Sequence, residues 1–110
     1  MPKNAVVTYE PVDADGVLYA ALAGELDLDG ADGVRDSLAD ASASPGCRAL
    51  RVDVSRVTFI DSYALGALVS ARNTAAGAGV RLTLADPSPV VRNAILVTGL
   101  GDVFGLTAGR

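Results

Sequence analysis

Val57-Thr58-Phe59-Ile60-Asp61-Ser62-Tyr63-Ala64-Leu65-Gly66 carries the chain from a strand, through a short apolar approach, into the start of a helix. Upstream, Leu50, Val52 and Val54 alternate with Arg51 and Asp53, the period-two pattern of a half-buried strand. Downstream, Leu65, Leu68, Val69, Arg72 and Ala76 fall on one stripe at helical spacing, with Gly77 near the end of the run. At the junction stand Asp61 and Ser62, two residues able to cap a helix where one suffices. A strand that hands over to a helix asks for a crossover and a parallel partner, so the neighbouring segments decide the architecture.

On the C-terminal side, Val80, Leu82 and Leu84 repeat the strand alternation against Arg81 and Thr83. Pro87-Ser88-Pro89 then sets up a third helix, with Ser88 as its cap, Pro89 at its first position and Gly99 at its end. Val103-Phe104 reads as a last short strand, and residues 107–110 as a loose tail. On the N-terminal side, Ser44-Pro45-Gly46 breaks a helix expected over about residues 29–43. Its polar start, Asp29-Gly30-Ala31-Asp32, precedes Val34, Leu38 and Ala41 at helical spacing. Before it, β-prone runs at 6–12 and 17–23 flank Asp13-Ala14-Asp15-Gly16, whose Asp and Gly suit a reversing turn. The order predicts one α/β domain over residues 1–110: a mixed sheet with an N-terminal antiparallel hairpin, then parallel strands with helices in the crossovers.

Composition narrows the function. Half of the 110 residues are hydrophobic, enough to bury a core without disulfide or metal, and Cys47 has no second cysteine to pair with. No apolar run approaches the roughly 18 residues of a membrane span. Met1-Pro2-Lys3-Asn4 opens no secretory signal, so the expected location is cytoplasmic. The nine basic residues form no run and the net charge is −4, which argues against direct nucleic-acid binding. Histidine is absent and Lys3 is the only lysine. Histidine-activated nucleophiles, the usual zinc sites, Schiff bases and lysine-bearing phosphate loops are therefore excluded. Thirteen acidic residues leave carboxylate-pair chemistry on paper, but the expectation is a protein that is not an enzyme.

At Asp61-Ser62 two readings stand side by side. If Asp61 accepts the orphan N–H bonds of the helix, the Ser62 hydroxyl is free at the first helical position, near the positive end of the macrodipole. A phosphoryl group would be tolerated there. If instead Ser62 is itself the cap, the commoner fate of a serine before an apolar periodic run, it has only a structural role.

Phe59-Ile60-Asp61-Ser62-Tyr63-Ala64-Leu65-Gly66 resembles the motif of the STAS domain family, usually an Asp-Ser pair, a Ser or Thr, then Gly-Leu-Gly. Gly24-Glu25-Leu26-Asp27 resembles the signature after the family's second strand. Asp53-Val54-Ser55-Arg56-Val57 resembles its third strand and the following turn. Ser88-Pro89-Val90-Val91 with Thr98-Gly99-Leu100 looks like its final helix and exit. The resemblance implies an anti-sigma factor antagonist that binds a kinase-type anti-sigma factor when unphosphorylated, freeing the sigma factor. Phosphorylation of Ser62 by that serine kinase would switch it off. It also implies a partner surface of Asp27, Asp61, Ser62 and Tyr63. A STAS accessory subunit of a lipid-transport ABC system, or a stressosome-type scaffold component, would look similar. Two positions depart from the motif: Tyr63 replaces Ser or Thr and adds bulk, and Ala64 replaces Gly and stiffens the first turn.

Other patterns carry less. Glu25-Leu26-Asp27-Leu28-Asp29-Gly30, with Asp36 twelfth, imitates a calcium loop, but it starts with Glu, ends with Asp and follows a strand. Gly99-Leu100-Gly101 follows a helix, the wrong context for a dinucleotide loop. No cofactor and no metal is expected. An aspartyl-phosphate receiver needs a lysine near its last strand, which this chain lacks.

Overall fold

A computed structural model of the chain describes residues 5–106; Lys3 and the tail expected at 107–110 lie outside the described residues. The elements run β1 (Val6–Tyr9), β2 (Val17–Leu26), α1 (Leu28–Ser42), β3 (Ala49–Ile60), α2 (Ser62–Gly77), β4 (Arg81–Ala85) and α3 (Pro89–Thr98). The strands form one sheet in the order β1-β2-β3-β4, antiparallel between β1 and β2 and parallel thereafter. This is the mixed α/β architecture read from the sequence.

The hairpin turn works as its residues dictate. One carboxylate oxygen of Asp13 accepts from the N–H groups of Asp15 (2.8 Å) and Val17 (3.0 Å), and Gly16 takes the left-handed conformation at φ 83°. β1 is shorter than the run at 6–12, because Pro11 has no N–H to give the ladder. β2 runs on to Leu26 because β3 accompanies it past two register shifts, as far as the pair Leu26–Ile60.

Alternation sends Leu18, Ala20 and Leu22 of β2, Leu50, Val52 and Val54 of β3, and Leu82 and Leu84 of β4 into the core. Ala31, Val34 and Leu38 of α1 join them. α2 buries a broader face than the stripe at its outset suggests. Leu65 and Leu68 are buried as expected, Val69 and Arg72 are half-buried, and Ala76 is exposed. Ala64, Ala67, Ala71 and Ala75 are buried instead, since α2 packs on both α1 and β4 and small side chains let the helices approach closely.

α3 starts and ends as read: the Ser88 hydroxyl accepts from the Val91 N–H (3.4 Å), Pro89 fills the first turn, and Gly99 closes the helix at φ 73°. Val103-Phe104 is a turn and not a strand. The Leu106 N–H donates to the Gly101 carbonyl (2.7 Å) and curls the segment, Phe104 is fully buried, and its carbonyl accepts the Leu84 N–H (3.0 Å). Among the described residues no helix is long and apolar enough to cross a membrane.

Candidate functional site

β2 and β3 end side by side, and each is followed by one aspartate and then a helix: Leu26-Asp27-Leu28 and Ile60-Asp61-Ser62. Both aspartates are extended N-caps, so two helix N-termini converge at the carboxyl ends of parallel strands, where such sheets place their sites. Asp27 Oδ1 accepts from the N–H groups of Asp29 (3.1 Å) and Gly30 (3.3 Å) on its own helix. Asp61 divides its carboxylate between the two. Oδ1 accepts from the Ala64 N–H of α2 (2.8 Å), and Oδ2 reaches across to the Leu28 N–H of α1 (3.0 Å). The Asp61 N–H in turn donates to the Leu26 carbonyl (3.3 Å).

Asp61 therefore holds the cap, and Ser62 is the exposed first residue of α2. Neither the Ser62 hydroxyl nor the N–H groups of Ser62 and Tyr63 have a partner among the described residues. Both oxygens of Asp61 are committed to caps, so that carboxylate is poorly placed to serve the serine as a base. What the arrangement offers is a hydroxyl at the positive end of a helix beside two open donors, a place where an added anion is favoured.

Tyr63 is 45% exposed, and its hydroxyl donates to Asp32 Oδ1 of α1 (2.5 Å). Asp32 also accepts from Arg35 Nη1 (3.2 Å), while Arg35 Nε bonds Asp36 (3.0 Å). Chiefly through that bond to Asp32, the phenol holds its proton above the ordinary tyrosine range. The sequence reading missed Asp32, and it missed two exposed apolar neighbours of the caps: Leu28, 60% exposed at the first position of α1, and Phe59, 45% exposed at the end of β3. The available signal was a large apolar residue near each capping aspartate, Leu28 directly after Asp27 and Phe59 two positions before Asp61.

Asp53-Val54-Ser55-Arg56-Val57 is not a strand followed by a turn, because β3 continues to Ile60 and absorbs an extra residue at Val54-Ser55, between the pairs Ala21–Asp53 and Ala23–Arg56. Asp53 Oδ1 accepts from the Ser55 hydroxyl (2.6 Å) and N–H (2.8 Å), which holds its carboxyl below the usual range. The residues of the apparent calcium loop are dispersed: Glu25 lies in β2, Asp27 caps α1, and Asp36 pairs with Arg35. Among the described residues no cluster of three potential ligands could hold a metal.

Residues 11–107 match the family model described as Mlab, STAS domain. A STAS-domain containing protein of Pseudomonas aeruginosa (strain UCBPP-PA14) is 30% identical over 95 residues, 86% of this chain and 92% of that protein. An anti-sigma factor antagonist from Mycobacterium paratuberculosis superposes with a TM-score of 0.73 at 26% identity, covering 98% of this chain and 89% of that one. The anti-sigma factor antagonist SpoIIAA in its unphosphorylated form gives 0.69 at 26% identity, over 88% of this chain and 84% of that one. The phosphorylated form of the Bacillus protein, also 26% identical, gives 0.63 over 88% and 86%. With nearly its whole length matched by the family model, and with that fold, the chain belongs to the STAS domain family.

Proposed function

We propose that this chain is an anti-sigma factor antagonist switched by phosphorylation of Ser62. Unphosphorylated, it docks on an anti-sigma factor that is a serine kinase, using Asp27, Asp61, Ser62 and Tyr63, and phosphate on Ser62 releases it. The reading rests on one observation: the Ser62 hydroxyl is exposed and unbonded at a helix start whose cap Asp61 already supplies. The likeness to SpoIIAA, solved with and without its phosphate, supports it. Leu28, Phe59 and Tyr63 supply partly exposed apolar anchors of the kind that dominate docking energy, and Asp29 and Asp32 add to an acidic surround that suits a basic partner face.

Phosphate adds roughly −1.5 to −2 charges to that contact. Repulsion and desolvation of about 2–5 kcal/mol correspond to about a 30- to several-thousand-fold loss of affinity. The experiment is capture of partners from a lysate with and without ATP, with mass spectrometry of the bound chain. A small ATP-binding kinase should co-purify, ATP should release the wild type with one phosphate on Ser62, Ser62→Ala should stay bound, and Ser62→Asp should bind partially. Capture of an ABC-type ATPase or a large homologous assembly would overturn the proposal. So would a phosphorylated chain that binds undiminished while its melting temperature collapses.

A further inference from the structure

The face of the sheet turned away from α1 and α2 carries a groove that the Ser62 site does not use. It runs between the outward residues of β3 and β4 on one side and α3 with the 101–105 turn on the other, and has a volume of about 1210 Å³. That is large beside the ~300–1,000 Å³ common for small-molecule clefts. Ala49 pairs with Arg81 and Arg51 with Thr83, so Arg51 and Arg81 rise from diagonal positions on neighbouring strands of this face. Long side chains at that spacing reach one another, and two like charges there repel. Both are exposed, and neither forms an ion pair with the described residues, although Asp86 and Asp102 also line the groove. Arg92 of α3 brings a third guanidinium.

Ile95, Leu96 and Leu106 line the groove as well, Ile95 buried at its floor with 6% exposure and Leu96 71% exposed. None of the five aromatic residues of the chain lines the groove, although Tyr19, 42% exposed, pairs with Arg51 on the neighbouring strand. Guanidiniums that bind carboxylate or phosphate, set beside aliphatic walls, match a ligand with an anionic head and a saturated tail. We propose that this groove binds an anionic amphiphile, its head on Arg51 and Arg81 and its aliphatic chain along Ile95 and Leu96. The proposal is independent of the role of Ser62, which follows the far end of β3.

Dodecanoate titrated below its critical micelle concentration into the full chain, followed by calorimetry and amide NMR, tests it. Saturable 1:1 binding is expected, with shifts centred on Arg51, Thr83, Ile95 and Leu96. Dodecanol, which has the chain without the charge, and inorganic phosphate, which has the charge without the chain, should each bind at least about tenfold more weakly. Arg51→Gln with Arg81→Gln, both at exposed positions, should weaken dodecanoate at least about tenfold while leaving the melting temperature unchanged. Leu96→Asp should weaken it independently by placing a like charge on the rim. A lysophosphatidate of the same chain length separates the sources: tighter binding than dodecanoate assigns a phosphate head, weaker binding a free carboxylate. Equal binding of dodecanol, or retained affinity in the double variant, would overturn the proposal. Binding to phosphatidylglycerol vesicles without any response to the monomeric probes would overturn it too, in favour of a membrane surface.

Discussion

α1 and α2 begin alike in sequence, each with an aspartate after a strand, but their first turns are completed differently. At α1 the N–H groups of Leu28, Asp29 and Gly30 are all held by carboxylate oxygens, and Asp29 adds a negative charge to the first turn. At α2 only the Ala64 N–H is held, the first turn has no acidic residue, and the Ser62 and Tyr63 N–H groups are open. The asymmetry arises because Asp61 gives its second oxygen to the neighbouring helix. One carboxylate closes α1 while the start of α2 keeps two open N–H donors, so this asymmetry is set by a contact between residues 33 positions apart.

The largest test of this comparison is Asp61→Ala, which removes the carboxylate acceptor of one N–H at each helix start, Ala64 of α2 and Leu28 of α1, while Asp27 still caps α1. A cap contributes about 1 kcal/mol, so the loss should be about 2 kcal/mol by denaturant melting. Asp61→Asn, with a single carbonyl oxygen, should lose about half of that. Asp27→Ala removes the cap of α1 alone and should cost about 1 kcal/mol. If Asp61→Ala costs no more than Asp27→Ala, the bond from Leu28 to Asp61 contributes nothing and the two helix starts are energetically separate. Ser62→Ala should change stability by no more than a few tenths of a kcal/mol, since nothing is bonded to its hydroxyl. A loss of about 1 kcal/mol would make Ser62 a cap after all.

Much of this is legible in the sequence. Alternation at 50–54 and 80–84 and the Ser88-Pro89 signal placed β3, β4 and α3, because strand pleat and cap chemistry are local. Whether Asp61 or Ser62 caps α2 was not legible, since the choice depends on the Leu28 N–H, which arrives only with the sheet register. Val103-Phe104 misled for a related reason: two apolar residues carry no period, and the glycines around them favour a curl that buries Phe104. The alanine face of α2 escaped notice because alanines register weakly in an apolar stripe until a second helix lies against them. The groove over Arg51 and Arg81 depends entirely on which rows of β3 and β4 face each other.

The smallest expected effect concerns the tie between the two helix starts. The Tyr63 hydroxyl donates to Asp32 of α1, and that bond above all raises the phenol's affinity for its proton, with Arg35 pulling the other way. A proton held more tightly in the folded chain than in the unfolded one stabilises the fold at every pH below the unfolded value of about 10. That contribution disappears as pH rises through the higher folded value. Tyr9 is raised as well, mainly by burial, so the alkaline limb of the wild type combines at least two phenols, and only its difference from Tyr63→Phe isolates this one. Tyr63→Phe keeps the ring and loses the donor. It should be slightly less stable than wild type at pH 7, and the gap should close above about pH 10. Because Tyr63 sits in solvent, the gap is small, and urea melts at matched ionic strength are the suitable measurement. A gap that stays constant through that range would mean the bond to Asp32 contributes nothing to folding. The open start of α2 would then be held to α1 by the Asp61 carboxylate and the packing of their buried faces, without help from its own first turn.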